Sequence, residues 1–133
     1  ENILLSEDIL NAIKCLKKLG IRISLDKNKC YVYGQGINGF KFKKNIVLNA
    51  GNSGTFARLI LGLLVKSPDY VKLTGDKSLS KRDFERVISP LQKVGANFIV
   101  NNKKTLPLKI LILFAVIYIF FYLILGNFFW TFF

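Results

Sequence analysis

The sequence predicts an α/β (α+β) fold in which helices cover one side of small sheets. Three observations carry that expectation. Apolar residues at helical spacing alternate with short strand-like runs bounded by polar turns. Two of the three helical stretches stop at a glycine, Gly20 and Gly95. The succession helix, glycine, strand, turn, strand also occurs twice, at an offset of 75 residues. Asp8, Ile13, Leu16, Lys18, Leu19, Gly20 and Ile23 match Asp83, Ile88, Leu91, Lys93, Val94, Gly95 and Phe98.

Residues 6–20 read as the first helix. Ser6 is placed to cap it, Glu7 and Asp8 lie in its first turn, and Lys14, Lys17 and Lys18 lie toward its end. That order complements the helix dipole. Ile9, Ile13, Leu16 and Leu19 share a face. Strands are expected over 21–25 and 30–33, joined by the polar turn Asp26, Lys27, Asn28 and Lys29. A Gly-rich stretch, 34–39, leads into an extended segment over 40–48.

A second helix is expected over 55–66, with Phe56, Leu59, Ile60, Leu63 and Leu64 as its buried stripe. A strand over 71–74 and a loop over 75–81 follow. The third helix is expected over 82–94, with Phe84, Val87, Ile88 and Leu91 inward; Pro90 weighs against its being straight and unbroken. Strands over 97–100 and 106–110 flank a turn at 101–104.

At 133 residues the chain has room for one ordinary domain. Its 20 Lys and Arg against 8 Asp and Glu all fall within residues 1–110 and give a net charge of +12. That balance favours an anionic partner: nucleic acid, an anionic membrane surface, or phosphorylated and carboxylated metabolites. The sequence has no His, the commonest general base and metal ligand, and its two cysteines, Cys15 and Cys30, cannot build a zinc site. No metal site and no cofactor are expected. The cysteines read as reduced thiols in a cytoplasmic protein. No signal peptide is visible; the chain opens on Glu1 and contains no Met, so its natural start is expected upstream.

Residues 111–133 form a separate region, an apolar tail. Of these 23 residues 20 are apolar, none is charged, and the run from Ile110 to Leu125 is unbroken. It approaches the length of a membrane span. Two readings compete: a C-terminal anchor, which would allow membrane association, and the product of a shifted reading frame. A buried core helix is a third. Residues 1–110 are expected to form the domain proper.

Two loops carry the candidate chemistry. The first, Asn49-Ala50-Gly51-Asn52-Ser53-Gly54-Thr55, lies between a strand and a helix, with Arg58 one turn in. A helix start leaves N–H groups without partners and carries partial positive charge, so it receives anions readily. Gly51 and Gly54 allow close backbone approach, Asn52, Ser53 and Thr55 can cap or donate, and Arg58 adds a planar cation. The plainer alternative is an ordinary capped helix. It is not a P-loop, because the Gly-Lys-Ser/Thr ending is absent. The second loop, residues 75–83, carries Lys77, Lys81 and Arg82 before the next helix; alone, it reads as a solvated basic loop. Following successive strands, the two loops can converge on one crevice and suit a ligand with two anionic groups.

At these residues the sequence resembles the EPSP synthases, the 3-phosphoshikimate 1-carboxyvinyltransferases. Gly-Asn-Ser-Gly-Thr-x-x-Arg-Leu (Gly51 to Leu59) is similar to that family's phosphoenolpyruvate-site signature, and Gly-Asp-x-Ser-Leu-x-x-Arg (Gly75 to Arg82) resembles its second signature. Leu5-Ser6-Glu7-Asp8 and Arg86-Val87-Ile88-x-Pro90-Leu91 fit as well, and the resemblance covers residues 1 to about 110.

The resemblance implies part of a two-domain, typically monomeric, cytoplasmic enzyme built from repeated βαβαββ units. The implied reaction transfers the carboxyvinyl group of phosphoenolpyruvate to the 5-hydroxyl of shikimate 3-phosphate, without metal or cofactor. It further implies that Gly54 and Arg82 contact phosphoenolpyruvate, that Asn52, Ser53 and Thr55 shape the loop, and that Arg58 supports it. Asp83 departs from the pattern, which has Pro there. The family's Lys-Ser…Arg segment, its serine-rich segment and its other domain have no counterpart in the sequence, so no turnover by this chain alone is expected. Alternatives are a fragment of the related UDP-N-acetylglucosamine transferase, against which the second loop speaks, and a basic, membrane-tethered or nucleic-acid-binding module. The cations lack the interleaved aromatics that nucleic-acid stacking requires.

Overall fold

The computed structural model describes residues 3–36, 39–65, 67 and 69–112. The apolar run beyond Ile112 lies outside them, and with it the readings of that segment as anchor, frame-shifted product or core helix.

Helix α1, Glu7–Lys18, begins where the sequence places it: the Ser6 side chain accepts from the Ile9 N–H at 3.5 Å. Gly20, at φ +89°, ends the helix in the left-handed region that glycine adopts without penalty. The chain then forms a hairpin of β1 (Arg22–Asp26) and β2 (Lys29–Tyr33), paired antiparallel as a separate two-stranded sheet. Next come β3 (Ile46–Asn49), α2 (Gly54–Leu64), β4 (Val71–Thr74) and a single 3₁₀ turn, Leu79–Lys81. Helix α3 (Glu85–Lys93) leads to β5 (Ala96–Ile99) and β6 (Leu108–Ile112). Gly95 at φ +94° repeats the role of Gly20, so helix, glycine stop and antiparallel hairpin do occur twice.

The second sheet has the order β3-β4-β6-β5: β3 and β4 are parallel, the other pairs antiparallel. Alternation along the strands sends Leu48, Val71, Leu73, Phe98, Leu108 and Ile110 into one core with Ala57, Ile60, Leu61, Leu64, Phe84 and Ile88 from the helical side. The sheet does not stop at residue 110, since β6 carries the backbone on to Ile112.

Three expectations need correction. Helix α2 buries Ala57, Ile60, Leu61 and Leu64, whereas Leu59 and Leu63 are 67% and 58% exposed and Phe56 is half-buried. The helix is apolar on more than one side, so spacing alone allows two stripes, and small Ala57 marks the one that faces the core. The extended segment over 40–48 shrinks to Ile46–Asn49. A turn with Asn45 at φ +59° precedes the strand, while Phe40 and Phe42 pack on the core from irregular backbone. The third helix starts at Glu85, not at Arg82, and runs through Pro90. Asp83 sets that start: its Oδ1 accepts from the Glu85 N–H at 2.7 Å.

Both cysteines are free thiols. Cys15 is 2% exposed, donates its S–H to the Asn49 carbonyl at 3.2 Å, and has its thiol pKa pushed up by burial. A maleimide at neutral pH is expected to label Cys30 and to reach Cys15 only after denaturation; equal labelling of the two in the folded chain would contradict this packing.

Candidate functional site: two latched loops at adjacent strand ends

Because β3 and β4 are parallel neighbours, their C-terminal ends lie side by side, and each opens into a loop. The first loop runs from Ala50 to Ser53 and the second from Gly75 to Asp83, interrupted by the 3₁₀ turn. The Ala50 N–H donates to the Thr74 carbonyl at 2.9 Å, which carries the ladder one residue past the end of β3. One residue further on, the Asp76 N–H donates to the Gly51 carbonyl, also at 2.9 Å.

Side chains complete the latch. The Asn52 Nδ2 donates to Asp76 Oδ2 at 2.6 Å, and Arg82 Nη2 donates to Asn52 Oδ1 at 3.1 Å. The other Asp76 oxygen accepts from the Leu79 N–H at 2.7 Å. These contacts hold the Asp76 carboxyl below the usual carboxylate range; the Asn52 bond is the largest cause, followed by the Leu79 N–H. Beneath the loops, Leu79 is fully buried and anchors the turn to the core.

Gly54 opens α2 at the centre of this arrangement, after Ser53, whose hydroxyl accepts from the Phe56 N–H at 3.4 Å. A Cβ placed on Gly54 would stand 2.8 Å from Arg82 Nη1 and 3.0 Å from Arg58 Nη1. Two guanidinium groups therefore converge on one bare glycine. Among the described residues neither has a carboxylate in ion-pair contact. Arg58 is held from below: it donates to the Gly54 and Asp83 carbonyls, each at 3.4 Å, and lies 5.3 Å over the Phe84 ring. Arg82 is exposed, in extended backbone with φ −76° and ψ 142°.

The structure thus brings Asn52, Gly54, Arg58 and Arg82 together, with Ser53 capping α2. Thr55 is exposed in the first helical turn. One premise changes. The second loop does not present a helix start at Arg82, because two residues, Asp83 and Phe84, separate that arginine from the first residue of α3. The Ser80 hydroxyl donates to the Gly75 carbonyl at 3.3 Å. The residue that sequence reasoning missed is Asp76. Its signal was present: an Asp three residues before a buried Leu is the spacing of a side chain closing a turn on a later N–H.

Among the described residues no group of His, Cys, Asp and Glu could hold a metal ion, and no helix is long and apolar enough to cross a membrane.

Fold and loops define a class of α/β protein that gathers cationic groups where neighbouring strands end. The family model for EPSP synthase (3-phosphoshikimate 1-carboxyvinyltransferase) matches residues 1–116. The 3-phosphoshikimate 1-carboxyvinyltransferase of Desulforamulus reducens is 42% identical over 106 residues, covering 79% of this chain and 24% of that protein. Its counterpart from Ruthia magnifica is 46% identical over 104 residues, covering 78% and 23%. The solved EPSP synthase of Acinetobacter baumannii superposes with a TM-score of 0.74 at 35% identity, covering 81% of this chain and 24% of that one. The chain belongs to the EPSP synthase family. It spans about a quarter of the length of the relatives it matches.

Proposed function

We propose that the chain supplies the phosphoenolpyruvate-holding loops of a 3-phosphoshikimate 1-carboxyvinyltransferase. One observation carries this reading: two guanidinium groups, neither in ion-pair contact with a carboxylate among the described residues, converge where Gly54 has no side chain. A planar guanidinium pairs bidentately with phosphate or carboxylate, and phosphoenolpyruvate carries both. Arg82, exposed and free to turn one edge outward, contacts the ligand; Arg58, braced on two carbonyls and an aromatic ring, holds the loop and adds charge. Gly54 gives the ligand its closest approach to backbone.

In the proposed reaction the 5-hydroxyl of shikimate 3-phosphate loses its proton as its oxygen bonds to C2 of phosphoenolpyruvate, and C3 gains a proton, giving a tetrahedral adduct. Elimination then removes a proton from C3 and breaks the bond from C2 to the phosphate oxygen, which restores the double bond and releases inorganic phosphate. Acid–base groups are needed at both steps. The chain has no His, and the carboxylates at the loops, Asp76 and Asp83, are both engaged with backbone N–H groups. Because the chain spans about a quarter of its relatives' length, it is expected to bind without turning over, with shikimate 3-phosphate held chiefly by parts of the longer enzyme. A cytoplasmic location belongs to the same reading, since both substrates are small, soluble metabolites.

Phosphoenolpyruvate added to the chain is expected to shift the backbone NMR signals of Asn52 to Arg58 and of Arg82. Arg82→Ala is expected to weaken binding roughly 10- to 100-fold, the worth of one charge-assisted pair. Salt-sensitive DNA binding with no response to phosphoenolpyruvate would overturn the proposal in favour of a nucleic-acid module.

A further inference from the structure

The Asn52 amide stands between a carboxylate and a guanidinium, and its two ends are nearly the same size. Its nitrogen faces Asp76 Oδ2 at 2.6 Å and its oxygen faces Arg82 Nη2 at 3.1 Å. Turned over, it would set an acceptor against the carboxylate and a donor against the guanidinium, losing both bonds. An ionised carboxylate only accepts, so the Asp76 side dictates which end points to Arg82.

Asp76 is itself unusually fixed for an exposed side chain. Oδ1 accepts from the Leu79 N–H at 2.7 Å, its backbone N–H donates to the Gly51 carbonyl at 2.9 Å, and its carbonyl accepts from the Ser80 N–H at 2.9 Å. It is bonded to both loops through main chain and side chain together. Arg82, by contrast, has Asn52 as its side-chain hydrogen-bond partner among the described residues.

We propose that Asp76 is a positioning residue: its carboxylate orients the Asn52 amide, and that amide holds the Arg82 guanidinium beside Gly54. The value of a held guanidinium for an anionic ligand rests on the function proposed above. The relay from Asp76 through Asn52 to Arg82 does not, and it can be tested without ligand.

The experiment follows rotation of the Arg82 guanidinium by nitrogen-15 NMR in the 133-residue chain. In the unmodified chain, resolved Arg82 Nη signals are expected, collapsing to an average as pH falls through a midpoint below the ordinary carboxylate range. Among the described residues Arg82 is the charge acting on the Asp76 carboxylate. In Asp76→Asn the rotation is expected to be roughly tenfold faster at neutral pH, with the far-ultraviolet circular dichroism unchanged and the acid step gone. The exchanged pair, Asn52→Asp with Asp76→Asn, keeps a donor facing an acceptor at every contact. It is expected to slow the rotation again while leaving phosphoenolpyruvate binding weak, because a carboxylate then occupies Arg82.

Unchanged rotation in a folded Asp76→Asn chain overturns the relay. If that variant does not fold, an Arg82 signal that ignores the acid titration of Asp76 in the unmodified chain overturns it equally. A relay that behaves as described in a chain indifferent to phosphoenolpyruvate leaves this inference standing and removes the proposed function.

Discussion

Phe84→Ala is expected to cost about 3–5 kcal/mol of folding stability, the range for emptying a buried aromatic site. Phe84 is 0% exposed and sits where three parts of the fold meet. It is the residue before α3, its N–H donates to the Lys104 carbonyl in the β5–β6 turn at 3.0 Å, and its ring lies under Arg58. The Lys104–Glu85 ion pair closes the same corner but is partly exposed, so it adds little. Truncation therefore leaves a cavity that the backbone bond to Lys104 prevents from collapsing. Against a total stability of about 5–15 kcal/mol for a small domain, such a loss removes a large share of the folded population at 37 °C. The measurement is a urea titration followed by circular dichroism. Phe84→Leu is expected to lose only about 1–2 kcal/mol, because it refills most of the space. A loss below about 1 kcal/mol for the alanine variant would show that the corner does not depend on the ring.

How far this architecture can be read from the sequence varies with the physics of each element. Helix α1 is legible to within two residues at each end because cap, dipole charges and glycine stop all agree. The hairpin at Lys27 and the one ending at Lys104 are legible from their polar turns, and both lysines take positive φ, at +47° and +49°. The stripe of α2 is not, because Leu59 and Leu63 have the same spacing and apolarity as the residues that face the core; nothing local breaks the tie. The start of α3 fails for a different reason. Arg82 and Asp83 are acceptable first-turn residues, and the side-chain bond from Asp83 to the Glu85 N–H, which decides the start, depends on the chain's path rather than on composition.

For the candidate site, the glycine and arginine pattern picks out Gly54, Arg58 and Arg82, which the structure brings together. Sequence cannot show how they are joined. The latch depends on β3 and β4 being parallel neighbours, since that pairing alone sets Gly51 opposite Asp76 and puts Asn52 within reach of both charges. A parallel pair of strands with two loops at the same end is thus the physical cause of the site. The fold puts the cations near each other; Arg82 bonds across the gap to Asn52, while Arg58 is held by the Gly54 and Asp83 carbonyls.

Gly54→Ala is expected to separate binding from folding. The added Cβ would meet Arg82 Nη1 at 2.8 Å and Arg58 Nη1 at 3.0 Å, distances that force something to move. Both atoms are the far ends of flexible side chains, so the arginines move rather than the backbone. Its third neighbour, Leu79 Cδ1 at 3.6 Å, is in ordinary contact and is not disturbed. As the first residue of α2, position 54 also gains up to about 1 kcal/mol from alanine's helix propensity, which offsets the strain. The urea midpoint is therefore expected to stay close to that of the unmodified chain. Phosphoenolpyruvate affinity behaves differently: displacing Arg82 even a few tenths of an ångström disturbs the bond to Asn52 and fills the space a ligand would use. A loss of roughly 10- to 100-fold is expected, equal to that of one charge-assisted pair. Arg82→Ala combined with Gly54→Ala should then be little worse than either change alone, because both remove the same contact. Additive losses in that double variant, measured by the same titration, would mean that Gly54 touches the ligand by a route independent of Arg82.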